Sequence, residues 1–246
     1  PSQMWQPGHY VYDPHIVLPL PGTPPGVYTA VASLFVWETL EPASALGADG
    51  NPLGPTLPLT TVTLTRPAVP PTLAALDVPE DAAPLACGDL QLWAFTADRL
   101  QAAPGEIVGL RWVWEALAAP AEALSVTLTL HAPGSSSVSL PSLPLAASWW
   151  PTDQWRAGER WVGRPVVRLP GGLESGDYRL ALALPGCEAL AHVPLTVVAP
   201  ERVWDVPTDL TPLNAFFGEQ VRLAGYAIEQ NAEVQVTLAW QAVAEM

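Results

Sequence analysis

Short apolar segments of partly alternating character recur along the chain, each bounded by glycine or proline. Examples are residues 29–37, 125–130 and 178–184. Alternation with a period of two over about four to eight residues is typical of half-buried strands. Residues 116–124 have weak helical character, but an extended connection interrupted by Pro120 fits them equally well. The pattern predicts an all-β fold of tandem immunoglobulin-like or jelly-roll-like β-sandwiches.

The chain matches itself at a constant offset of 150 positions. Residues 1–8 resemble residues 151–158, and the register continues without a gap until Tyr28 falls on Tyr178. A further proline-containing strand then follows in each copy: residues 57–60 in the first and 193–196 in the second. We call this repeated part the closing half of a repeat, because in the central copy it follows a second repeated part, which is described next.

A second correspondence joins the middle of the chain to its end. Residues 90–95 resemble residues 221–226, and residues 112–117 resemble residues 238–243. We call this part the opening half. The two correspondences together predict a repeating unit of about 120 to 130 residues, because solenoid-like arrays show such self-similarity at a fixed period.

These matches predict four segments. Residues 1–66 are the closing half of a first repeat, 67–84 a linker, 85–200 a complete central repeat, and 205–246 the opening half of a third repeat. Half of a sandwich exposes apolar faces and open strand edges, which is unfavourable in water. We therefore expect the two terminal halves to combine, either within one chain or in a strand-exchanged homodimer.

Composition supports a folded chain. The 29 prolines and 18 glycines could indicate disorder, but 49% of the residues are apolar and disorder requires low hydrophobicity. The formal net charge is −14, and every basic residue is arginine. Such a chain repels nucleic acid and anionic membrane surfaces. No apolar run approaches the ~20 residues that cross a bilayer, so we expect no direct membrane insertion.

The closing half resembles a family pattern of the form P-T-x-x-W-x-P-G-E followed by P-P-G-x-Y. The central copy carries it at Pro151, Thr152, Trp155 and Glu159, with Tyr178 further along. The pattern is similar to repeated extracytoplasmic modules of Chloroflexi-type bacteria, which follow the membrane-embedded part of glycosyltransferase-like proteins. The resemblance implies a cell-surface module of a membrane-linked protein. It implies no reaction, cofactor or catalytic residue.

No residue pattern indicates catalysis. The serines at 135–137 lie in a loop without a nucleophile elbow, and the four histidines lack metal-ligand spacing. The carboxylates fall near turns, where solvated charges are common, and no phosphate-binding glycine loop is present. We therefore expect a non-enzymatic structural or interaction module without metal or cofactor, whose partner is another domain of the parent protein.

Three tryptophans suggest an alternative function, the binding of carbohydrate. Trp149, Trp150 and Trp161 are candidate sugar-stacking residues, because an exposed indole offers a flat apolar face to a sugar ring. Trp155 recurs as Trp5 and is assigned to structure. The alternative function is thus a carbohydrate-binding module, accessory to a glycosyltransferase, with a glycan as partner.

Two cysteines, Cys87 and Cys187, are too few for a disulfide scaffold and lack metal-like spacing. They form either one disulfide, in an oxidising compartment, or two free thiols.

Overall fold

The computed structural model describes residues 8, 10, 12–36, 39, 41–134, 136–200, 209–230 and 234–243. Strands make up 52% of the chain and helix 3%, which confirms the predicted all-β, sandwich-like class. The chain divides into two compact units, Pro1–Ala199 and Pro200–Met246. Trp5 and the first residues of the predicted third repeat, 205–208, lie outside the described residues.

The strands of the first unit are, in chain order, β1 (Gly26–Ala32), β2 (Leu34–Phe35), β3 (Pro42–Ala43), β4 (Ala45–Leu46), β5 (Pro52–Gly54), β6 (Leu57–Leu64), β7 (Leu85–Cys87), β8 (Leu90–Ala97), β9 (Gln101–Ala102), β10 (Ile107–Ala116), β11 (Ser125–His131), β12 (Ser137–Ser139), β13 (Leu143–Pro144), β14 (Arg160–Gly163), β15 (Val166–Arg168), β16 (Gly176–Leu184) and β17 (Cys187–Val197). The second unit contains β18 (Thr211–Phe217), β19 (Val221–Gln230) and β20 (Val234–Ala242). Two single 3-10 turns, Ala74–Leu76 and Thr152–Gln154, lie between strands.

Two sheets packed face to face form a central sandwich between β7 and β17. The first sheet has the order β14-β10-β8-β7, and β15 also pairs with β10. The second has the order β12-β11-β16-β17-β9, and β13 also pairs with β11. Strands β17 and β9 run parallel. Both sheets contribute to one core, with Trp112 and Trp114 from the first sheet against Leu128, Leu180 and Leu195 from the second.

Strand β10 shows how the residue pattern builds this core. Val108, Leu110, Trp112 and Trp114 occupy alternate positions, and each is at most 3% exposed. Successive side chains of a strand point to opposite faces, so all four face the second sheet. Each buried indole removes about 150–250 Å² of surface from water, so Trp112 and Trp114 together add about 300–500 Å² to the surface that the packing of the two sheets buries.

A disulfide joins the two sheets. Cys87 at the end of β7 is bonded to Cys187 at the start of β17, across a sequence separation of 100. Of the two alternatives that the sequence leaves open, the structure therefore contains the bonded pair.

The predicted linker, residues 67–84, packs as a third layer on the outer face of the first sheet. Leu76 and Val78 are 1% and 4% exposed, and they form a second apolar cluster with Val113 of β10 and Val162 of β14. The guanidinium of Arg160 donates a hydrogen bond of 3.1 Å to the Pro71 carbonyl. The linker is thus a packed part of the fold that covers the outer side of β10 and β14.

Strands β1 and β6 form an antiparallel hairpin in the first part of the chain. Tyr28 of β1 donates its hydroxyl to the Pro24 carbonyl at 2.7 Å, and Tyr178 of β16 donates to the Glu174 carbonyl at 3.1 Å. Each bond reaches four residues upstream, as in the tyrosine corners of β-sandwiches. The two tyrosines that the repeat alignment equates therefore make the same local contact.

One part of the sequence alignment is wrong by three residues. Tyr28 pairs with Val62 and Tyr178 pairs with Leu195, so the strand positions equivalent to 193–196 are 60–63. The sequence comparison placed residues 57–60 there. The error arises because the sequence comparison matched Pro58 with Pro194. The strand pairing, counted from Tyr28 and Tyr178, instead matches Val62 with Leu195.

The second unit is a three-stranded sheet of order β18-β19-β20. Its pairing follows the sequence correspondence residue by residue, as the β10–β8 and β20–β19 ladders show. Trp114 pairs with Leu92 and Trp240 with Leu223, and each ladder then skips one residue, Trp93 or Ala224, at a β-bulge.

The ends of these ladders also agree. The Leu117 amide donates to the Asp89 carbonyl at 2.7 Å, and the Val243 amide donates to the Gln220 carbonyl at 2.8 Å. Bulges are specific features of a strand pair rather than defects. A shared bulge and a shared closing hydrogen bond therefore place the two three-stranded arrangements in the same register.

Candidate functional site

The loop between β13 and β14 carries the candidate tryptophans and is held in place by the core. The Thr152 side chain is 1% exposed; its hydroxyl accepts from the Leu124 amide and donates to the Glu122 carbonyl, both at 2.7 Å. The Trp155 indole, also 1% exposed, donates to the Trp150 carbonyl at 3.3 Å. These bonds fix the loop on both sides of residue 152, because each satisfies a buried polar group.

Trp155 therefore has the structural position that its recurrence in the sequence predicts. Its indole belongs to the main core of the sandwich.

Trp161 does not fit the role of a sugar-stacking residue. It lies in β14, is 1% exposed, and donates its indole N–H to Glu159 Oε2 at 3.3 Å. Stacking requires an open ring face, and this ring is enclosed in the core. The sequence placed Trp161 with the other tryptophans because they are close along the chain, but alternation along β14 turns its side chain inward.

Trp150 is half-buried between two protein groups. Its ring meets the Trp161 ring edge-on at a centroid distance of 5.6 Å. The Arg66 guanidinium carbon lies 4.7 Å from its centroid, within cation–π range. The Trp150 ring is thus packed against other protein side chains, as a structural residue is.

Arg66 connects the end of the β1–β6 hairpin to this loop. It donates to the Gln154 carbonyl at 2.7 Å, and its Nη1 lies 3.0 Å from Glu159 Oε1, an ion pair by distance without the alignment of a hydrogen bond. Both side chains of the pair are largely buried, at 22% and 11% exposed. Partly buried pairs are screened less by salt than surface pairs, so this contact should persist at ionic strengths that weaken a surface ion pair.

Trp149 is the one member of the predicted trio with a large open surface, at 56% exposed. Its indole N–H donates to the Pro25 carbonyl at 3.2 Å, and its ring meets the Tyr28 ring edge-on at 5.9 Å. A Cβ on Gly26 would lie 2.7 Å from Trp149 Nε1, so the close approach requires glycine there. Burial raises the pKa of Tyr28.

A backbone contact extends the same interface. The Val162 amide donates to the Gly22 carbonyl at 2.9 Å. Gly22 has a φ of +74°, and a Cβ there would lie 2.5 Å from Val162 Cγ2. The turn before the hairpin is therefore seated directly on the edge strand β14, in a conformation that favours glycine.

The sequence did not reveal the ionic centre beside this interface. Glu115 of β10, 8% exposed, accepts hydrogen bonds from Gln91 at 2.8 Å, Trp93 at 2.6 Å and Arg160 at 2.9 Å. Burial raises the pKa of the Glu115 carboxyl, but the hydrogen bonds from Arg160, Trp93 and Gln91 outweigh it and hold that pKa below its usual range. A carboxylate with donors on both oxygens is stabilised in its charged form, which suits a structural role.

The sequence contains only a weak indication that Glu115 forms a buried ion pair. Glu115 lies on the outer face of a strand whose inner face is apolar, a position normally read as solvent-exposed. Its burial depends on tertiary contacts: Gln91, Trp93 and Arg160 surround the carboxylate, and Arg160 also donates to the Pro71 carbonyl of the linker.

The outer face of the second sheet has an open concavity of about 710 Å³. Its lining includes His131, Arg179 and His192, with Asp177 at one end and small residues such as Ala181 between them. The sequence treated both histidines as scattered, and the pairing of β11 with β16 and of β16 with β17 brings them to one face.

Among the described residues, no three histidine, cysteine, aspartate or glutamate side chains are grouped to hold a metal ion. Within the same residues, no helix has the length and apolar character needed to cross a bilayer.

Comparison with known proteins adds little. No protein-family model and no curated protein matches the chain. The chain is similar at a TM-score of 0.34 and 14% identity to the solved structure of the Pseudomonas fluorescens alkylpurine DNA glycosylase AlkC bound to DNA containing an abasic-site analog. That match covers 52% of this chain and 33% of the glycosylase, so the chain spans a third of that protein's length.

Proposed function

We propose that this chain is a non-catalytic, extracytoplasmic structural and interaction module of a larger membrane-linked protein. In this role successive sandwich repeats are stacked through fixed contacts and hold another domain at a distance. The observation that supports the proposal is that the two tryptophans of the β13–β14 loop contact other parts of the protein. Trp149 and Trp150 are engaged by residues of the preceding segment, Pro25 and Arg66, rather than left open together.

The contacts form a continuous junction between the hairpin segment and the central sandwich. Gly22 bonds to Val162, Pro25 to Trp149, and Arg66 to Gln154. Backbone hydrogen bonds, an ion pair and aromatic packing together restrict rotation more than a flexible linker does. A rigid junction of this kind is what a spacer requires.

Matching ladders support the tandem arrangement. The tyrosine corners of Tyr28 and Tyr178, and the shared bulge at Trp93 and Ala224, are the equivalences that divergent copies of one unit would retain. The Cys87–Cys187 bond supports an extracytoplasmic location, since such bonds persist in oxidising compartments.

Hydrogen exchange tests the junction. Replacing Arg66 and Trp149 together by alanine should speed amide exchange in residues 20–32, because their contacts with the central sandwich are lost. Exchange in β8 should not change, and Arg99→Ala, which removes only a surface pair with Asp98, is the matched control. Unchanged exchange in residues 20–32 of the double variant would contradict a fixed junction.

A carbohydrate-binding role is the second candidate, favoured by the open surface of Trp149. Its test is a glycan array with the folded chain. Binding that is lost in Trp149→Ala and retained in Trp240→Ala, another half-exposed indole, would support this role. An array without binding to the folded protein would leave the structural role as the function of the loop.

A further inference from the structure

The outer face of the second sheet gathers basic side chains in a chain that is otherwise acidic. His131, Arg179 and His192 line the open concavity of about 710 Å³ on this face. Over the whole sequence, 24 acidic residues outnumber ten arginines. Among the described residues that line the concavity, Asp177 is the one carboxylate. The local balance of charge is therefore the reverse of that of the chain.

The strand register brings these basic side chains close together. His131 of β11 pairs directly with Arg179 of β16. His192 of β17 pairs with Ala181, so it lies diagonally across from Arg179. Directly opposed side chains are about 5 Å apart at Cβ, and diagonal neighbours about 7–8 Å. Ala181, which is 6% exposed, forms the floor between the larger side chains. Arg179 and both histidines are thus within reach of one ligand group.

None of the three basic side chains has a hydrogen-bond or ion-pair partner among the described residues. Asp177 is on the same face, but its carboxylate accepts a hydrogen bond of 2.8 Å from the Thr196 hydroxyl and forms no ion pair with Arg179. Like charges at opposed cross-strand positions destabilise a sheet. A protonated His131 opposite Arg179 is therefore unfavourable unless an anion lies between them.

The first copy of the repeat shows that the fold does not require these residues. Counted from the shared tyrosine corner, the position of Arg179 is occupied by Thr29 in β1. The position of the small Ala181 is occupied by the larger Val31. The first copy thus lacks both the charge and the small floor residue, a difference expected of a site added to a common scaffold.

We propose that this concavity binds a small ligand through an oxyanion group, either a carboxylate or a phosphate. The planar guanidinium of Arg179 suits two parallel hydrogen bonds to such a group, and each protonated histidine adds donors beside it. A volume of about 710 Å³ lies within the range of small-molecule sites and leaves room for the body of the ligand. None of these residues takes part in the junction, so this role is independent of the structural one.

Amide chemical shifts in NMR spectra test the site with three probes that differ only at carbon 6 of one sugar ring: glucuronate, glucose 6-phosphate and glucose. We expect at least one of the two anions, at up to about 20 mM, to shift resonances of β11, β16 and β17, and neutral glucose to leave them unchanged. The anion that binds more tightly identifies the oxyanion. Resonances that respond to neither anion, or equally to glucose, would overturn the proposal.

Arg179→Thr is the first variant to test, because the β1–β6 hairpin forms with Thr29 at this position. It should weaken binding of the tighter anion about tenfold or more, since a charge-assisted pair is lost. Arg99→Thr removes the same charge from an exposed residue that pairs with Asp98, and it should leave the affinity unchanged.

Replacing both His131 and His192 by glutamine gives a second, independent variant. It should also weaken binding at about pH 6, where histidine carries part of its positive charge. Urea unfolding shows whether each variant remains folded. Undiminished binding by folded chains of either Arg179→Thr or the double histidine variant would contradict the assignment of those residues to the site.

Discussion

The three hydrogen bonds to Glu115 predict a stability that depends on one carboxylate and on pH. Glu115→Gln keeps the size of the side chain but removes its charge, and Arg160 is then left largely buried without its ion-pair partner. Breaking one side of a buried pair costs about 3–5 kcal/mol, and residual amide hydrogen bonds and the 24% exposure of Arg160 reduce this cost. We expect a loss of about 2–4 kcal/mol in the free energy of unfolding at pH 7.

The sign of the pH dependence follows from the lowered pKa of Glu115. The unfolded chain holds this proton more tightly than the folded protein does, so stabilisation is complete above the unfolded pKa of about 4.3. It is lost as the pH falls through the folded pKa, where the carboxyl becomes protonated. The difference between wild type and Glu115→Gln should therefore be large at neutral pH and should shrink under acidic conditions.

Urea unfolding monitored by tryptophan fluorescence, at pH 7 and again near pH 3.5, measures both quantities. Glu188→Gln is the matched control, because Glu188 is exposed on β17 and the same charge is removed. A Glu115→Gln chain as stable as the control at pH 7 would refute the reasoning. A stability difference that stays constant as the pH falls would refute it as well.

Two further changes test the junction and the disulfide. Gly22→Ala should destabilise the seating of residues 20–32 on β14, seen as faster hydrogen exchange there, because its Cβ would lie 2.5 Å from Val162 Cγ2; Gly171→Ala, which has open space around it, should leave exchange unchanged. Replacing Cys87 and Cys187 by serine should lower the free energy of unfolding by about 3–5 kcal/mol, since the bond closes a loop of 100 residues; a thermal midpoint equal to that of the oxidised wild type would contradict this.

The strand pattern was predictable where alternation and burial coincide. The apolar residues at alternate positions of β10 indicate a strand with one buried face. The structure buries all four of them, Val108, Leu110, Trp112 and Trp114. The correspondence of Trp114 with Trp240 was also predictable, because a bulky residue on a repeated strand is a distinctive marker, and the pairing register agrees with it.

Other features depend on tertiary contacts that local pattern does not encode. The linker is rich in proline and its apolar residues lack the alternation of a strand, so its packing through Leu76 and Val78 was not expected. The recurrence of Asp77-Val78-Pro79 as Asp205-Val206-Pro207 could have indicated that this segment belongs to the repeat. Trp161 was misassigned because chain proximity does not determine which face of a strand a side chain occupies.

The position of the Cys87–Cys187 bond has a mechanical consequence for a module pulled at its two ends. Tension that unfolds the central sandwich could not extend the chain between the two cysteines, because the covalent bond would bear the load directly. At about 3.4 Å per residue, a loop of 100 residues withholds roughly 340 Å of contour length. Under force an oxidised repeat would release only its short flanking segments, whereas a reduced repeat would act as a long extensible element.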